Sequence, residues 1–181
     1  MLVEMIFAGF GGQGIMTLGM TLAYAGMIED RNVAWIPSYG PEMRGGTANC
    51  NVIISDEVIG SPSTDSPDAV MVMNLPSFHK FEPKIKTGGT IVVNESLIAD
   101  RSTRTDIKSY YLDTAEIAKE LGHPVLAGVV ALGALNEAMH LVALESLESA
   151  LKKLLPEHRH KLIPMNIAAL KRGASLVGNG R

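Results

Sequence analysis

The feature that most restricts what this chain can fold into is a glycine cluster, Gly9-Phe10-Gly11-Gly12-Gln13-Gly14, set between two apolar segments. Leu2 to Ala8 is apolar and β-compatible, and Ile15 to Ile28 has helical length, with Glu29, Asp30, Arg31 and Asn32 as its polar exit. A buried strand, a glycine turn and a helix, in that order, make the entry unit of an open α/β sheet. In such a turn the missing side chains let the backbone approach a phosphate, and the helix N-terminus offers free N–H groups with a partial positive charge. The same glycines also serve close helix–sheet packing, and both readings stay open. Met5 to Ile28 carries no charged residue. The turn nonetheless leaves a helix shorter than the ~20 residues a bilayer needs, so no membrane span is expected.

Apolar residues surround most of the helix after the turn (Ile15, Met16, Leu18, Met20, Leu22, Tyr24 and Met27). A helix lying on a single sheet face shows a wet side. This one is expected to be covered on both sides, by a sheet and by a partner chain. Further along, Val33 to Ile36 reads as a short strand that leaves at Pro37, and Thr47 to Ser55 as another, with Glu57-Val58-Ile59 turning back against it. Ala69 to Met73 has the uninterrupted apolar character of a buried parallel strand. Leu75 to Phe81 suggests a short helix, and strands follow at Thr90 to Val93 and Ser109 to Leu112. Asp113 is placed to cap a helix over Ala115 to Leu121, after which Val125 to Ala143, Leu144 to Leu155 and Met165 to Leu176 read as helices. Early alternation and late helices predict one α/β domain over residues 1–181. It is a three-layer, Rossmann-like fold with a mostly parallel sheet and a helix-rich C-terminal third.

Composition narrows the function. With 16 Lys+Arg against 19 Asp+Glu the net charge is -3, and no basic face is evident, which argues against nucleic acid. The single cysteine, Cys50, excludes a disulfide framework and suits a reducing cytoplasm. An iron–sulfur cluster takes four thiolates, so this chain alone holds none. Glu4 stands where a signal peptide would be basic, and a cytoplasmic location is expected. His158 and His160 are two apart, so on a helix they point to different sides and make no metal pair. Cys50 lies on an expected strand and reads as a small buried hydrophobe.

The glycine turn suggests a dinucleotide site, but the second strand resists it. A ribose-binding acid should end that strand, and Trp35-Ile36-Pro37-Ser38 has none. Beyond it comes Tyr39-Gly40-Pro41-Glu42-Met43-Arg44-Gly45-Gly46, a loop too unusual for a plain connector. Loops at the carboxyl ends of strands form the ligand crevice of an open α/β sheet. An arginine among glycines suits bidentate contact with phosphate or carboxylate, while an Arg44–Glu42 pair shaping the loop is the other reading.

The two loops together resemble the gamma subunit, or gamma domain, of 2-oxoacid:ferredoxin oxidoreductases, most closely the 2-oxoglutarate branch. The resemblance runs over nearly the whole chain, through Ile59-Gly60-Ser61-Pro62 and the late Leu132-Gly133-Ala134. It departs at Val130-Ala131, where the family often has an asparagine. It implies oxidative decarboxylation of a 2-oxoacid to an acyl-CoA, with reduced ferredoxin or another acceptor. Thiamine diphosphate and Mg would lie between alpha and beta subunits, and iron–sulfur clusters on a delta chain or another subunit. The gamma component would pack against these and contribute to coenzyme A binding. Gly9, Gly11, Gly12, Gln13 and Gly14 then form one cofactor-binding turn. Tyr39, Gly40, Glu42, Met43, Arg44, Gly45 and Gly46 line the other, and no catalytic residue is carried across. A stand-alone NAD(P)- or nucleotide-binding domain and a purely structural assembly subunit remain as alternatives.

Overall fold

The computed structural model describes residues 1–38 and 47–178. Among them, β1 (Leu2–Phe10), α1 (Ile15–Ile28), β2 (Asn32–Ser38), β3 (Thr47–Ser55), β4 (Ala69–Val72) and α2 (Leu75–Phe81) form the first half. The second half holds β5 (Thr90–Asn94), β6 (Lys108–Leu112), α3 (Thr114–Glu120), α4 (Ala127–Met139), α5 (Leu144–Leu154) and α6 (Ile163–Gly178). The strands make one sheet in the order β2-β3-β1-β4-β5-β6. β1, β4, β5 and β6 pair in parallel, and β3 runs antiparallel between β1 and β2.

The three expected layers are present, with unequal thickness. Val3, Met5 and Phe7 of β1 face a large core built with α1, α3, α4, α5 and α6. Ile6 and Ala8 face a smaller one with Phe78 and Phe81 of α2. A four-residue β4 and a five-residue β5, buried at every position, divide the two. α2 starts where its sequence says it should, because the Asn74 side chain accepts a hydrogen bond from the Ser77 N–H.

Several expectations need correction. Glu57-Val58-Ile59 forms no strand, and Val58 is 89% exposed. Both edges of β3 are already taken, by β1 and by β2, so no ladder is left for it to join. β2 does not stop at Pro37 but runs to Ser38, since on a sheet edge a residue without an N–H is tolerated. The long apolar stretch opened by Pro124 is a 3-10 turn (Pro124–Leu126) followed by α4, which ends at His140 in left-handed conformation. α5 of the same chain packs on α1 beside the sheet, while Met27 and Ile28 near the end of the helix remain 55% and 42% exposed.

α4 and α6 approach until their backbones touch. A methyl added at Gly133 would fall well inside contact distance of the Leu170 carbonyl, and one at Gly173 would do the same at Val130.

Candidate functional site

The glycine turn caps β1 at the carboxyl-end rim of the sheet. Gly12 has φ +92° and Gly14 φ +75°, backbone that L side chains rarely adopt, and a Cβ at either would meet nothing within 4 Å. The turn closes through the Gln13 N–H on the Phe10 carbonyl at 3.2 Å. α1 then begins at Gly14 with no side-chain cap and no acid in its first turn. Its first N–H donors therefore face the rim unclaimed by any described side chain.

Not every member of the motif points outward. Gly9 is buried, and a Cβ there would press on Gln13 Oε1 and Ile15, so this glycine serves packing. Gln13 turns its amide inward. Its Oε1 accepts from the Phe10 N–H at 2.7 Å, and its Nε2 donates to the Met73 carbonyl at 3.2 Å. That carbonyl also receives Asn94 Nδ2 at 3.4 Å, while Asn94 Oδ1 accepts from Thr114 Oγ1 at 2.7 Å and the Ser96 N–H at 3.2 Å. A chain of neutral hydrogen bonds thus ties the ends of β1, β4, β5 and β6 together. Gln13 and Asn94 position the turn, and each amide keeps one N–H outside these bonds.

A cleft of about 330 Å³ opens beside the turn, between the ends of β4 and β5 and the starts of α3 and α4. Gly12, Ala115, Ala127 and Gly128 keep it wide, and among the described residues none of its lining side chains is charged. Leu97 and Val125 stand in its walls, 55% and 60% exposed. Gly128 lets the first turn of α4 rest against Leu18 of α1, which brings two helix starts to one place. At α3 the donors are spoken for: Asp113 accepts the Glu116 N–H and Ser96 Oγ accepts the Ala115 N–H. The Ser96 hydroxyl, ahead of the Glu116 N–H, holds the Asp113 carboxyl below its usual range. The sequence reading missed Asn94, Leu97 and Val125. Asn94 alone had a signal, a polar residue closing the apolar run of β5.

Tyr39, Gly40, Glu42, Met43, Arg44, Gly45 and Gly46 lie outside the described residues. Their flanks do not. Thr47 pairs with Phe10, the residue before Gly11, and Ser38 pairs with Asn49. Both ends of that segment therefore leave the sheet at the rim that carries the glycine turn.

β3 also bears on the dinucleotide alternative. In a Rossmann sheet the second strand lies beside the first, which brings its terminal acid to the ribose. Here β3 intervenes, so the end of β2 is displaced from β1 by two strand spacings, about 9–10 Å.

Other candidates fall away. Among the described residues no three His, Cys, Asp or Glu side chains are grouped to hold a metal ion. Cys50 is fully buried, and burial pushes its thiol up to about 12. A larger hollow of about 490 Å³ lies between α4, α5 and α6, with Glu137 and Lys171 in its wall, apart from the glycine turn. No helix among the described residues is long and apolar enough to cross a membrane.

Known proteins resemble this chain in sequence and in fold. Ketoisovalerate oxidoreductase subunit VorA of Methanothermobacter marburgensis is 38% identical over 174 residues, which cover 95% of this chain and 36% of that protein. The chain thus spans about a third of VorA. It covers 91% of the 2-oxoglutarate synthase subunit KorC of Methanocaldococcus jannaschii, at 35% identity over 94% of its own length. Among solved structures, the gamma subunit of a keto/oxoacid ferredoxin oxidoreductase from Geobacter sulfurreducens superimposes with a TM-score of 0.84 at 28% identity, covering 98% of this chain and 99% of that one. The family model described as pyruvate ferredoxin/flavodoxin oxidoreductase matches residues 4–176, and the chain belongs to that family.

Proposed function

We propose that this chain is the gamma component of a multisubunit 2-oxoacid:acceptor oxidoreductase, and that its carboxyl-end rim receives coenzyme A. The substrate proposed is 2-oxoglutarate, converted to succinyl-CoA and CO2, with the released electron pair passed to ferredoxin or a similar acceptor. The relatives named for 2-oxoglutarate and for ketoisovalerate make the choice of acid a matter for assay. Thiamine diphosphate with Mg, held between alpha and beta subunits, supplies the carbanion-stabilising chemistry in this reading. The iron–sulfur clusters sit on a delta chain or another subunit, because Cys50, the single cysteine here, is buried. This chain binds and orients.

One observation carries the ligand part. α1 starts on two left-handed glycines with open space around them, and among the described residues no side chain or first-turn acid uses its donors. Such a terminus accepts the phosphates that coenzyme A carries. The inserted β3 weighs against NAD(P) at the same turn.

Titration calorimetry on the full chain should give a saturable signal with coenzyme A and none with NAD(P). The reverse result overturns the ligand assignment. Turnover of the co-purified complex should depend on coenzyme A and prefer 2-oxoglutarate over 2-ketoisovalerate. If the chain alone oxidised a 2-oxoacid, the subunit reading would be wrong.

A further inference from the structure

We propose that the outer face of α1 and the open edge of β2 form an interface with a second copy of this chain, related by a two-fold axis. From Ile15 to Ile28 α1 carries no charged residue. The sheet, α4 and α5 cover part of its circumference. Met16, Met20, Tyr24 and Met27 remain as an incompletely covered stripe at helical spacing, with Met27 more than half exposed. Gly19 and Gly26 rest on Cys50, Val52 and Ile54 of β3 and on Trp35 and Val33 of β2, so the helix lies over that strand pair. Leu18 meets Gly128 of α4 toward the middle of the sheet, and at about 100° per residue the stripe falls on the other side, above the edge. β2 itself has no charged residue, and among the described residues nothing pairs with its outer side. Edge strands are ordinarily blunted, as the five-residue β6 is by Lys108; on the seven-residue β2 only Pro37, near its end, does this.

The geometry selects a second copy as the occupant. Pro37 stands opposite Cys50 without an N–H to give, so the odd positions of β2 turn their backbone groups to the open side. Val33 and Trp35 each offer one N–H and one C=O there. An antiparallel copy centred on Ala34 sets each Val33 against the other copy's Trp35, which completes both pairs of bonds and spares Pro37. The helix gives the same centre independently. Gly26 lies level with Val33, so Tyr24, about 3 Å back along the helix axis, stands level with Ala34, about 3.3 Å along the strand. The axis that pairs the edges therefore lays the two stripes antiparallel on one face of a continuous sheet. Tyr24 comes near the axis, and Met20 faces Met27 of the copy. With strands about 4.8 Å apart, the two α1 axes lie roughly 10–14 Å apart, a gap that Met and Tyr side chains fill. Another partner must match edge and stripe separately; one two-fold operation matches both.

Analytical ultracentrifugation of the full chain over a dilution series should show a monomer–dimer equilibrium. Met27→Glu and Met20→Lys, each alone, should weaken it by about thirtyfold or more, with unchanged circular dichroism checking the fold. Mixed together, the two variants should dimerise again, because the carboxylate of one copy then faces the ammonium of the other. Damage confined to either chain would show no such recovery. Hydrogen exchange should find the Val33 and Trp35 amides protected in the dimer and released in Met27→Glu. A chain monomeric across the whole series overturns the proposal and leaves this edge to a different subunit. A dimer that survives both substitutions, or whose Val33 and Trp35 amides exchange freely, overturns this face as its interface.

Discussion

Gly12 and Gly14 on the one hand, and Gly133 and Gly173 on the other, are glycines for opposite reasons. At the rim the backbone is left-handed and the space around it is empty; a side chain would have room and the wrong φ. Between α4 and α6 the backbone is ordinary helix and the space is full, because the carbonyls of Leu170 and Val130 occupy it. One pair keeps a place free for something outside the chain. The other lets the chain fill its own interior. Substitutions should therefore separate binding from stability in opposite senses at the two places.

The largest effect is expected in the helix pair. Gly173→Ala or Gly133→Ala forces two backbones apart, at a cost of about 3 kcal/mol or more. For a chain of this size that lowers Tm by about 10 °C, while coenzyme A affinity measured in the cold stays unchanged. A shift within the error of the melt would show that the helices part easily, and the contrast would collapse. Arg44→Ala should act on binding, weakening a phosphate-bearing ligand by about 1.5–3 kcal/mol in titration calorimetry. Gly12→Ala lies between the two. Its left-handed φ costs about 1 kcal/mol of stability, and the methyl intrudes on the space kept for the ligand, so calorimetry should register a larger loss than the melt.

How much of this was legible follows from range along the chain. The glycine turn, β1, α1 and the Asp113 cap were readable because each is decided within a few residues. The insertion of β3 between β1 and β2 was not, since Thr47 finds Phe10 across 37 positions and nothing local announces the pairing. Gly133 and Gly173 look like any helical glycines until the two helices are brought together. At the site, the motif marked its place correctly but not its division of labour. Gly9 and Gln13 face the protein, Gly11, Gly12 and Gly14 the solvent, and only the fold distinguishes them. Leu97 was invisible because an apolar residue in a loop carries no periodic signal, and Val125 because it reads as the first residue of a helix when it stands in the 3-10 turn ahead of it.

The smallest effects concern the two helix starts that flank the cleft, one capped by an acid and one not. Asp113 is held below the usual carboxylate range, chiefly by the Ser96 hydroxyl and then by the Glu116 N–H. Its folded value lies under its unfolded one, so its contribution to stability is present above about pH 4 and is lost as the pH falls through the folded value. Asp113→Asn retains a capping oxygen without the titration, and the stability gap between variant and wild type should close on acidification; a gap independent of pH would show that the carboxylate's charge is irrelevant there. The matching experiment puts an acid where α1 has none. Thr17→Glu sits in the exposed first turn, where a negative charge favours the helix by about 0.3–1 kcal/mol. The same charge repels an incoming phosphate, so the variant should melt slightly higher and bind coenzyme A less well, with the binding defect shrinking as salt is raised. If Thr17→Glu improved both, the α1 donors would not be held for an anion at all, and the rim glycines would belong with Gly133 and Gly173 as matters of packing.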